Sequence, residues 1–376
     1  MQTPGVASAG APARGYRLCA MSVVASPGAA PPLTAPAPRI APAHWIHDRR
    51  TDAVITFLWV PFSLAAAAAY STPAALAVVV ALTLLTSLVH QPLTLGLIYG
   101  DPAQFAVARR VFTVFPFVLL GAVIVARSFS LTLVAVIAGL WNAEHTLMQR
   151  YGISRIYARK AGETGPARER PMLISWLVFA LSFAAADPRT TRLLDNVELG
   201  ATNEEGVRVL QTLRPWAVGA VIVAGMFVVW ATTRWWLGER QLGRIGWTPK
   251  RRYLFGTALL FAVILVNPIV GLIGYVGSHA LEYFVIVHGA LGRRYSGPQA
   301  QPGGVVGRVV RSPLRASGCV VVYVALVGIA LVSVQKLVDA DIGNTVLLTV
   351  GGMHVFFDGF IWKLRRPVVA HSVAAG

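Results

Sequence analysis

The residues of this chain that could do chemistry are histidines and carboxylates inside apolar stretches. The sequence has 8 His, and five of them fall in segments apolar enough to cross a membrane, together with three acids. A charged side chain at mid-bilayer costs about 2.5–3.5 kcal/mol even on lenient insertion scales, so each of these residues needs a partner or a function. The set comprises His90, Glu144, His145, His279, Glu282, His288, His354 and Asp358.

Two pairs in this set have a spacing that places both members on one helix face. His279 and Glu282 are three residues apart, and His354 and Asp358 are four apart; either spacing brings two side chains together on a helix. Imidazole nitrogen with carboxylate oxygen, and without thiolate, suits non-haem iron, manganese or zinc. We therefore predict a metal site whose ligands come from His90, His145, His279, Glu282, His354 and Asp358.

The other two residues of the set are less suited to share an ion. Glu144 is adjacent to His145 and points about 100° away from it around a helix. His288 follows His279 by nine residues, which places it half a turn off that face. We predict that Glu144 or His288 is the catalytic proton donor.

The residue types alone leave other interpretations open. Buried histidine–acid pairs can satisfy one another and specify helix packing. The same array can carry protons, or bind a cation in transit, in a transporter or channel. Two histidines on facing helices can also ligate a b-type haem, although acids at the same depth do not suit the apolar wall that haem needs.

The elements that position these residues are predicted to be transmembrane helices. Hydrophobic residues make up 55% of the 376-residue chain and charged residues 13%, about half the usual share of roughly 25% in soluble proteins. This composition excludes a soluble enzyme and a disordered chain. Two cysteines exclude a disulfide framework and a cysteine-based metal site. The predicted fold class is an all-α polytopic bundle.

About 20 mostly apolar residues are needed for one spanning helix, and ten stretches qualify. The second is long enough to end in an irregular or tilted section around Gln91-Pro92, and the seventh and eighth are divided between Gly271 and Gly277. The ten predicted spans are 53–70, 73–99, 111–126, 130–148, 171–186, 216–237, 253–273, 275–291, 318–336 and 343–362.

Charge sets the predicted orientation. With both termini in the cytoplasm, most of the 33 Lys and Arg residues, Arg150 among them, fall on the cytoplasmic side, as the positive-inside rule expects. This asymmetry accounts for the net charge of +17 without a nucleic-acid partner. The predicted metal ligands then lie in the cytoplasmic half, in two layers about 6–9 Å apart. The predicted location is a bacterial inner membrane, crossed many times.

Three regions follow along the chain: a disordered Ala/Pro-rich cytoplasmic tail at 1–50, a transmembrane domain at 51–366 and a cytoplasmic tail at 367–376. The external loop 187–215 is predicted to hold a short amphipathic helix over the outer mouth.

Some polar residues near the predicted site are expected to have structural roles. Asp101 is predicted to cap the helix that starts at Pro102 rather than to bind metal. Thr94, Asn142 and Asn267 are predicted to hydrogen-bond across helices or to satisfy backbone groups at kinks, and not to act in catalysis.

Two segments, EHTLMQRYGISRIYAR and MHVFFDGFIWKLRRP, resemble motifs of a group of bacterial polytopic membrane proteins. There, one helix ends His-x-x-x-Gln-x-Tyr-Gly and the last reads His-x-x-x-Asp-x-x-Ile-Trp-Lys. The design also resembles histidine-rich membrane oxygenases of the carotene-cleaving Brp/Blh family, which hold iron with histidines from separate helices. The His-x-x-His-His boxes of alkane hydroxylases and lipid desaturases are absent from the sequence, which argues against a desaturase of that type.

Together these features predict a ten-helix inner-membrane oxidoreductase of the oxygenase or hydroxylase kind, with one or two non-haem iron ions. A site walled by Leu, Val and Phe and open to the lipid bilayer suits a fatty acyl chain or an isoprenoid as substrate. An electron-donor protein is a further expected partner. The alternative is a proton- or cation-coupled transporter or channel that uses the same buried array.

Overall fold

Helices make up the architecture in the part of the chain that the structure describes. The computed structural model describes residues 45–163, 165–191, 203–242, 248–296, 304–312, 315–363 and 369, and these contain no strand, which confirms the all-α prediction. The helices are α1 (Arg49–Phe57), α2 (Trp59–Ala69), α3 (Pro73–Tyr99), α4 (Pro102–Ala106), α5 (Arg109–Phe129), α6 (Leu131–Lys160), α7 (Glu169–Ala186), α8 (Asn203–Gln241), α9 (Pro249–Val266), α10 (Pro268–Tyr295), α11 (Gly304–Val310), α12 (Arg315–Leu337) and α13 (Ala340–Ile361).

Nine segments of the described chain are long and apolar enough to cross a membrane. They are α1 with α2, and α3, α5, α6, α7, α8, α10, α12 and α13. The predicted span outside this group corresponds to α9, whose first turn carries Lys250, Arg251 and Arg252. These nine segments indicate a membrane protein, while ten spans and cytoplasmic termini stay predictions.

Helix α3 continues through the proline at which the sequence allowed an irregular end. Pro92 has no backbone N–H to donate to the Leu88 carbonyl one turn earlier, yet the helix runs to Tyr99. The Val89 carbonyl in that turn accepts a hydrogen bond from the Tyr323 hydroxyl of α12 at 2.9 Å. The continuous helix carries His90 and Thr94 on either side of the proline.

The boundary between α9 and α10 lies earlier than predicted. The Asn267 side chain accepts hydrogen bonds from the backbone N–H groups of Ile269 and Val270, and Pro268 occupies the first turn of α10. Helical backbone is disfavoured for a residue that precedes proline. Asn267 is such a residue, and asparagine is a favoured N-cap for the helix that follows. The predicted division between Gly271 and Gly277 is therefore wrong.

Glycines of that segment serve close packing inside α10. A Cβ on Gly274 would lie 2.2 Å from Ser63 Oγ of α2, and one on Gly277 would meet the Phe62 ring at 2.4 Å. Small residues let membrane helices approach closely. As a result α10 packs on α2, α3 and α9 and is the most buried of the nine segments.

The predicted covering helix of the 187–215 loop falls partly on residues 192–202, which lie outside the described residues. From Asn203 onward, the loop sequence belongs to α8, which passes Pro215 and runs unbroken to Gln241. This long helix pairs with α7.

Most of the predicted N-terminal tail, and all but residue 369 of the predicted C-terminal tail 367–376, lie outside the described residues. Residues 45–50 are described and are part of the helical unit. Ile46 is 4% exposed, and the buried Asp52 carboxylate accepts hydrogen bonds from the backbone N–H groups of Ile46 and His47 at 2.7 and 3.1 Å.

Candidate metal centre

Four histidines from four helices meet inside the bundle. They are His90 of α3, His145 of α6, His279 of α10 and His354 of α13, with exposed fractions between 0% and 7%. The Nε2 atom of His354 lies 3.1 Å from Nε2 of His90 and 3.1 Å from Nε2 of His145. The His279 ring centroid is 4.7 Å from that of His90 and 5.0 Å from that of His145.

A glycine ahead of His354 lets α13 pack closely on α5 and α6. A Cβ on Gly352 would lie 2.8 Å from Leu119 of α5 and 3.5 Å from Trp141 of α6. The absent side chain lets α13 pack against both helices. His354 and Asp358, one turn apart on α13, are then directed at the space between α3, α6 and α10.

Hydrogen bonds fix the protonation of His354. The Thr94 hydroxyl donates to Asp358 Oδ1 at 2.8 Å. Because that hydroxyl has one proton, the contact of its oxygen with His354 Nδ1, also 2.8 Å, has the imidazole N–H as donor. The Nδ1–H of His354 thus points at Thr94, and Nε2 faces His90 and His145, as in metal-ligating histidines held by an outer hydrogen bond.

Asp358 is held by a second hydroxyl. Tyr283 of α10 donates to Asp358 Oδ1 at 3.1 Å, and its oxygen lies 2.6 Å from Thr94 Oγ1. The other carboxylate oxygen of Asp358 is 3.8 Å from His145 Nε2. One oxygen is thus engaged by hydroxyls, and the other faces the cluster.

Two overlapping sets of ligand atoms could hold a metal ion. In each set the three atoms lie within 4.8 Å of one another, and every residue is buried. The first set is His90, His279 and His354, and the second is His145, His354 and Asp358.

His279 is the histidine of the cluster with both ring nitrogens unsatisfied. Both of its ring nitrogens are buried, and neither has a hydrogen-bond partner among the described residues. Leaving one buried polar atom unsatisfied costs about 1–3 kcal/mol. A metal ion bound to one nitrogen would remove part of that cost, so the donor set fits a metal.

Glu282 is not part of either set. Its carboxylate forms an ion pair with Arg150 of α6, with 2.8 Å between Oε1 and Nη2, and both side chains are 0% exposed. The Tyr253 hydroxyl donates to Oε2 at 3.3 Å, and Gln149 does so at 3.4 Å. The structure thus places Glu282 beside the histidine cluster with a partner of its own.

Arg150 corrects the sequence analysis, which assigned this residue to a cytoplasmic loop. Helix α6 extends to Lys160, well past the predicted end at 148, and buries Arg150 completely. Its guanidinium donates to Ser278 Oγ at 2.7 Å and lies 3.3 Å from Thr257 Oγ1. The helical period, continued one turn past His145, places Gln149 on the same face, but it gives no signal for Arg150.

Tyr283 is the other site residue that the sequence did not single out. It follows His279 by one helical turn, and that spacing was the available signal. Thr94 was predicted to hydrogen-bond across helices, and it does so to α10 and α13.

The two predicted proton donors lie at different places. Glu144 is exposed and lies in the wall of a cavity beside the cluster. His288 is exposed on α10 with Nε2 3.0 Å from Ser317 Oγ of α12, so it is not brought to the cluster. Asp101 caps α4, accepting from the Ala103 N–H at 2.9 Å, as expected.

The cavity has a volume of about 700 Å³. His145, Tyr283 and Asp358 line it where it adjoins the cluster. The rest of its wall is mostly apolar and comes from α6, α10 and α13, including Trp141, Met148, Ile156, Ile286, Phe356 and Phe360.

A further group of acids already holds a cation. Glu163, Glu169 and Glu239 surround the ammonium group of Lys250, with Nζ 2.6 Å from Glu163 and 3.0 Å from Glu169 and in contact with Glu239. We interpret this cluster as an ion-pair network that ties the ends of α6, α7, α8 and α9 together.

Comparison of the chain with protein-family models, with curated proteins and with solved structures gives no match in any of the three.

Proposed function

We propose that the protein is an integral-membrane oxidoreductase that uses one non-haem iron ion to oxidise an apolar lipid or isoprenoid. The observation that carries this proposal is the meeting of four buried histidines beside an apolar cavity. Histidine packing without a ligand would leave both ring nitrogens of His279 unsatisfied inside the cluster.

The spacing of the nitrogens supports a shared ion. Nitrogens that bind one metal at 2.0–2.1 Å, with angles of roughly 90–110° between them, lie about 2.9–3.4 Å apart. The two Nε2 separations of 3.1 Å fall in this range. The competing explanation is that His90 and His145 both donate to the one lone pair of His354.

The hydrogen bonds of His354 support one ion rather than two. Its Nδ1 is engaged by Thr94, and Nε2 has a single lone pair, which binds one ion. Because both candidate ligand sets include His354, we take them as alternatives around one centre.

The ligand set suits iron, and the proposed apolar substrate favours it. His145, His354 and Asp358 form the two-histidine, one-carboxylate combination that leaves positions open in non-haem iron oxygenases. Bound iron would supply oxygen activation, which permits hydroxylation, desaturation or cleavage of a chain without reactive groups. Zinc or manganese would suit the ligands as well, but zinc-bound water has nothing to attack on a hydrocarbon.

Residues around the proposed metal site would bind the substrate and handle protons. Apolar side chains of the cavity exclude water and hold the substrate, and a volume of about 700 Å³ is typical of ligand pockets, roughly 300–1,000 Å³. The Tyr283 hydroxyl and Asp358 can hold or pass a proton at the edge of the cavity. Reducing equivalents would come from an electron-donor protein.

The test is metal content by plasma mass spectrometry on the detergent-purified protein, grown with ample iron, manganese and zinc. We expect about one iron per chain in the parent and in His288→Ala, the matched control outside the cluster. Folded His354→Ala and His145→Ala should lose it. A parent without bound metal would sink the proposal and favour the proton- or cation-coupled transporter.

A further inference from the structure

Two of the helices that line the cavity, α6 and α13, run in the same direction. Trp141 lies against Gly352, and His145 lies 3.8 Å from Asp358, so α6 and α13 run the same way along the cavity. The C-terminal ends of both helices therefore form one and the same end of it.

That end is basic. Arg155, Arg159 and Lys363 line the cavity there, and Arg155 also pairs with Glu169 at 3.3 Å. At the rise of an α-helix, Arg155 and Arg159 lie about 15 and 21 Å beyond His145 along α6. Three cationic groups at the end of an apolar cavity are suited to a negative group attached to a long chain.

The acidic groups of the wall lie away from this end. Glu144 is one residue before His145, and Asp358 lies at the cluster. The Glu144 carboxylate would repel an anionic head group placed near it. Attraction at the basic end and repulsion at Glu144 therefore favour the same orientation of an amphiphile.

We propose that the cavity binds a single-chain lipid with an anionic head group, a carboxylate or a phosphate. The head group lies among Arg155, Arg159 and Lys363, and the chain passes His145 and Asp358. This inference rests on the proposed function, because it takes the cavity as the substrate site of the metal centre. It places the reacting carbon roughly 8–15 Å from the head group, within the chain rather than at the head.

Binding is tested without turnover. The purified full chain is incubated with tritiated palmitate, and unlabelled palmitate, hexadecyl phosphate or hexadecanol is added as competitor. We expect the anionic probes to compete at least about tenfold better than the neutral alcohol. Better competition by the carboxylate or by the phosphate assigns the head group, whereas equal competition by hexadecanol overturns the anionic site.

Charge variants locate the head group. Arg159→Gln and Lys363→Gln should each weaken palmitate binding by about three- to tenfold and leave hexadecanol binding unchanged. Arg110→Gln, an exposed basic residue at the start of α5, is the matched control. Parent-like palmitate binding in both cavity variants would contradict this location.

Variants of two glycines on α6 test where the hydrocarbon chain of the lipid lies. Gly152 lines the cavity, Gly139 is exposed elsewhere on α6, and a Cβ on either meets nothing within 4 Å. Gly152→Phe should abolish palmitate binding with the metal retained, and Gly139→Phe should not. Equal binding by the two variants would overturn the cavity as the site.

The metal-site variant separates the two proposals. His354→Ala should bind palmitate like the parent while lacking metal. If the parent itself lacks metal but binds palmitate in the cavity, the proposed oxidation fails and the lipid site stands. If the parent holds iron and binds no anionic lipid, the lipid site fails and the proposed metal centre stands.

Discussion

Single residues decide whether the histidine cluster can hold a metal, and Thr94 is the one whose role is easiest to isolate. Its hydroxyl connects Asp358 to Nδ1 of His354 and so fixes the tautomer that presents Nε2 to the cluster. The Thr94 oxygen is itself engaged by His354, Asp358 and Tyr283.

Thr94→Val should lower metal affinity by about 10–100-fold, because removing an outer hydrogen bond frees the ligand to rotate or change tautomer. Competition with a chelator measures this affinity. Thr86→Val on the same helix, whose hydroxyl donates to the Leu82 carbonyl, should leave it unchanged. Parent-like affinity in Thr94→Val would show that Thr94 does not orient His354.

Arg150→Met should destabilise the protein by about 3–5 kcal/mol, because it leaves Glu282 buried without its partner. The double variant Arg150→Met with Glu282→Gln should recover part of the loss. Thermal unfolding in detergent compares both with Arg189→Ala, an exposed ion-pair variant expected to change little. If the double variant is no more stable than Arg150→Met, the two residues are not coupled.

The sequence predicted which residue types form this site better than it predicted the contacts between them. The histidines and Asp358 stand out because imidazole and carboxylate are expensive inside apolar segments. Arg150 did not stand out, because it follows the apolar part of α6 and was read as a loop charge. Its burial depends on a partner, Glu282, that only the packing of α6 against α10 supplies.

At the scale of elements, helix positions followed from apolar length and helix ends from local chemistry. The prediction for α3, 73–99, matches the helix Pro73–Tyr99, because a threonine and a proline precede an unbroken apolar run. The end of α6 was wrong because a helix supported by neighbours continues after its apolar stretch has ended. The break at Asn267-Pro268 was missed because the glycines that follow resemble a break.

Those glycines offer a test of packing. Gly274→Val should cost about 1–3 kcal/mol, since its Cβ would meet Ser63 Oγ at 2.2 Å and the Trp59 carbonyl at 3.2 Å. Gly96→Val, where a Cβ meets nothing within 4 Å, is the matched control. The melting temperature in detergent compares them, and equal values would mean that α2 and α10 have room to separate.

At the scale of the whole molecule, orientation stays a prediction from charge. In a Cys19→Ser, Cys319→Ser background, Arg189→Cys should react with a membrane-impermeant maleimide in intact cells. Arg110→Cys should react only after permeabilisation. The opposite pattern would place the histidine cluster in the outer half of the bilayer.

The arrangement of the helices could not be read from the sequence. Apolar composition establishes that segments cross a membrane, yet it does not say which segments are neighbours. Close contacts at Gly352, where α13 packs on α5 and α6, and at Gly274, where α10 packs on α2, join residues far apart in the chain. Agreement in depth among the histidines was the available hint.

If the cavity is the substrate site proposed above, the length of α6 has a kinetic consequence. Its 30 residues extend about 45 Å, more than a hydrocarbon core of about 30 Å, so in the proposed membrane orientation Arg159, near the end of α6, would reach the level of the lipid head groups. A lipid in that leaflet could enter the cavity without passing through water. Its reaction rate would follow its mole fraction in the bilayer, and inert phospholipid added at constant total substrate would slow turnover by surface dilution.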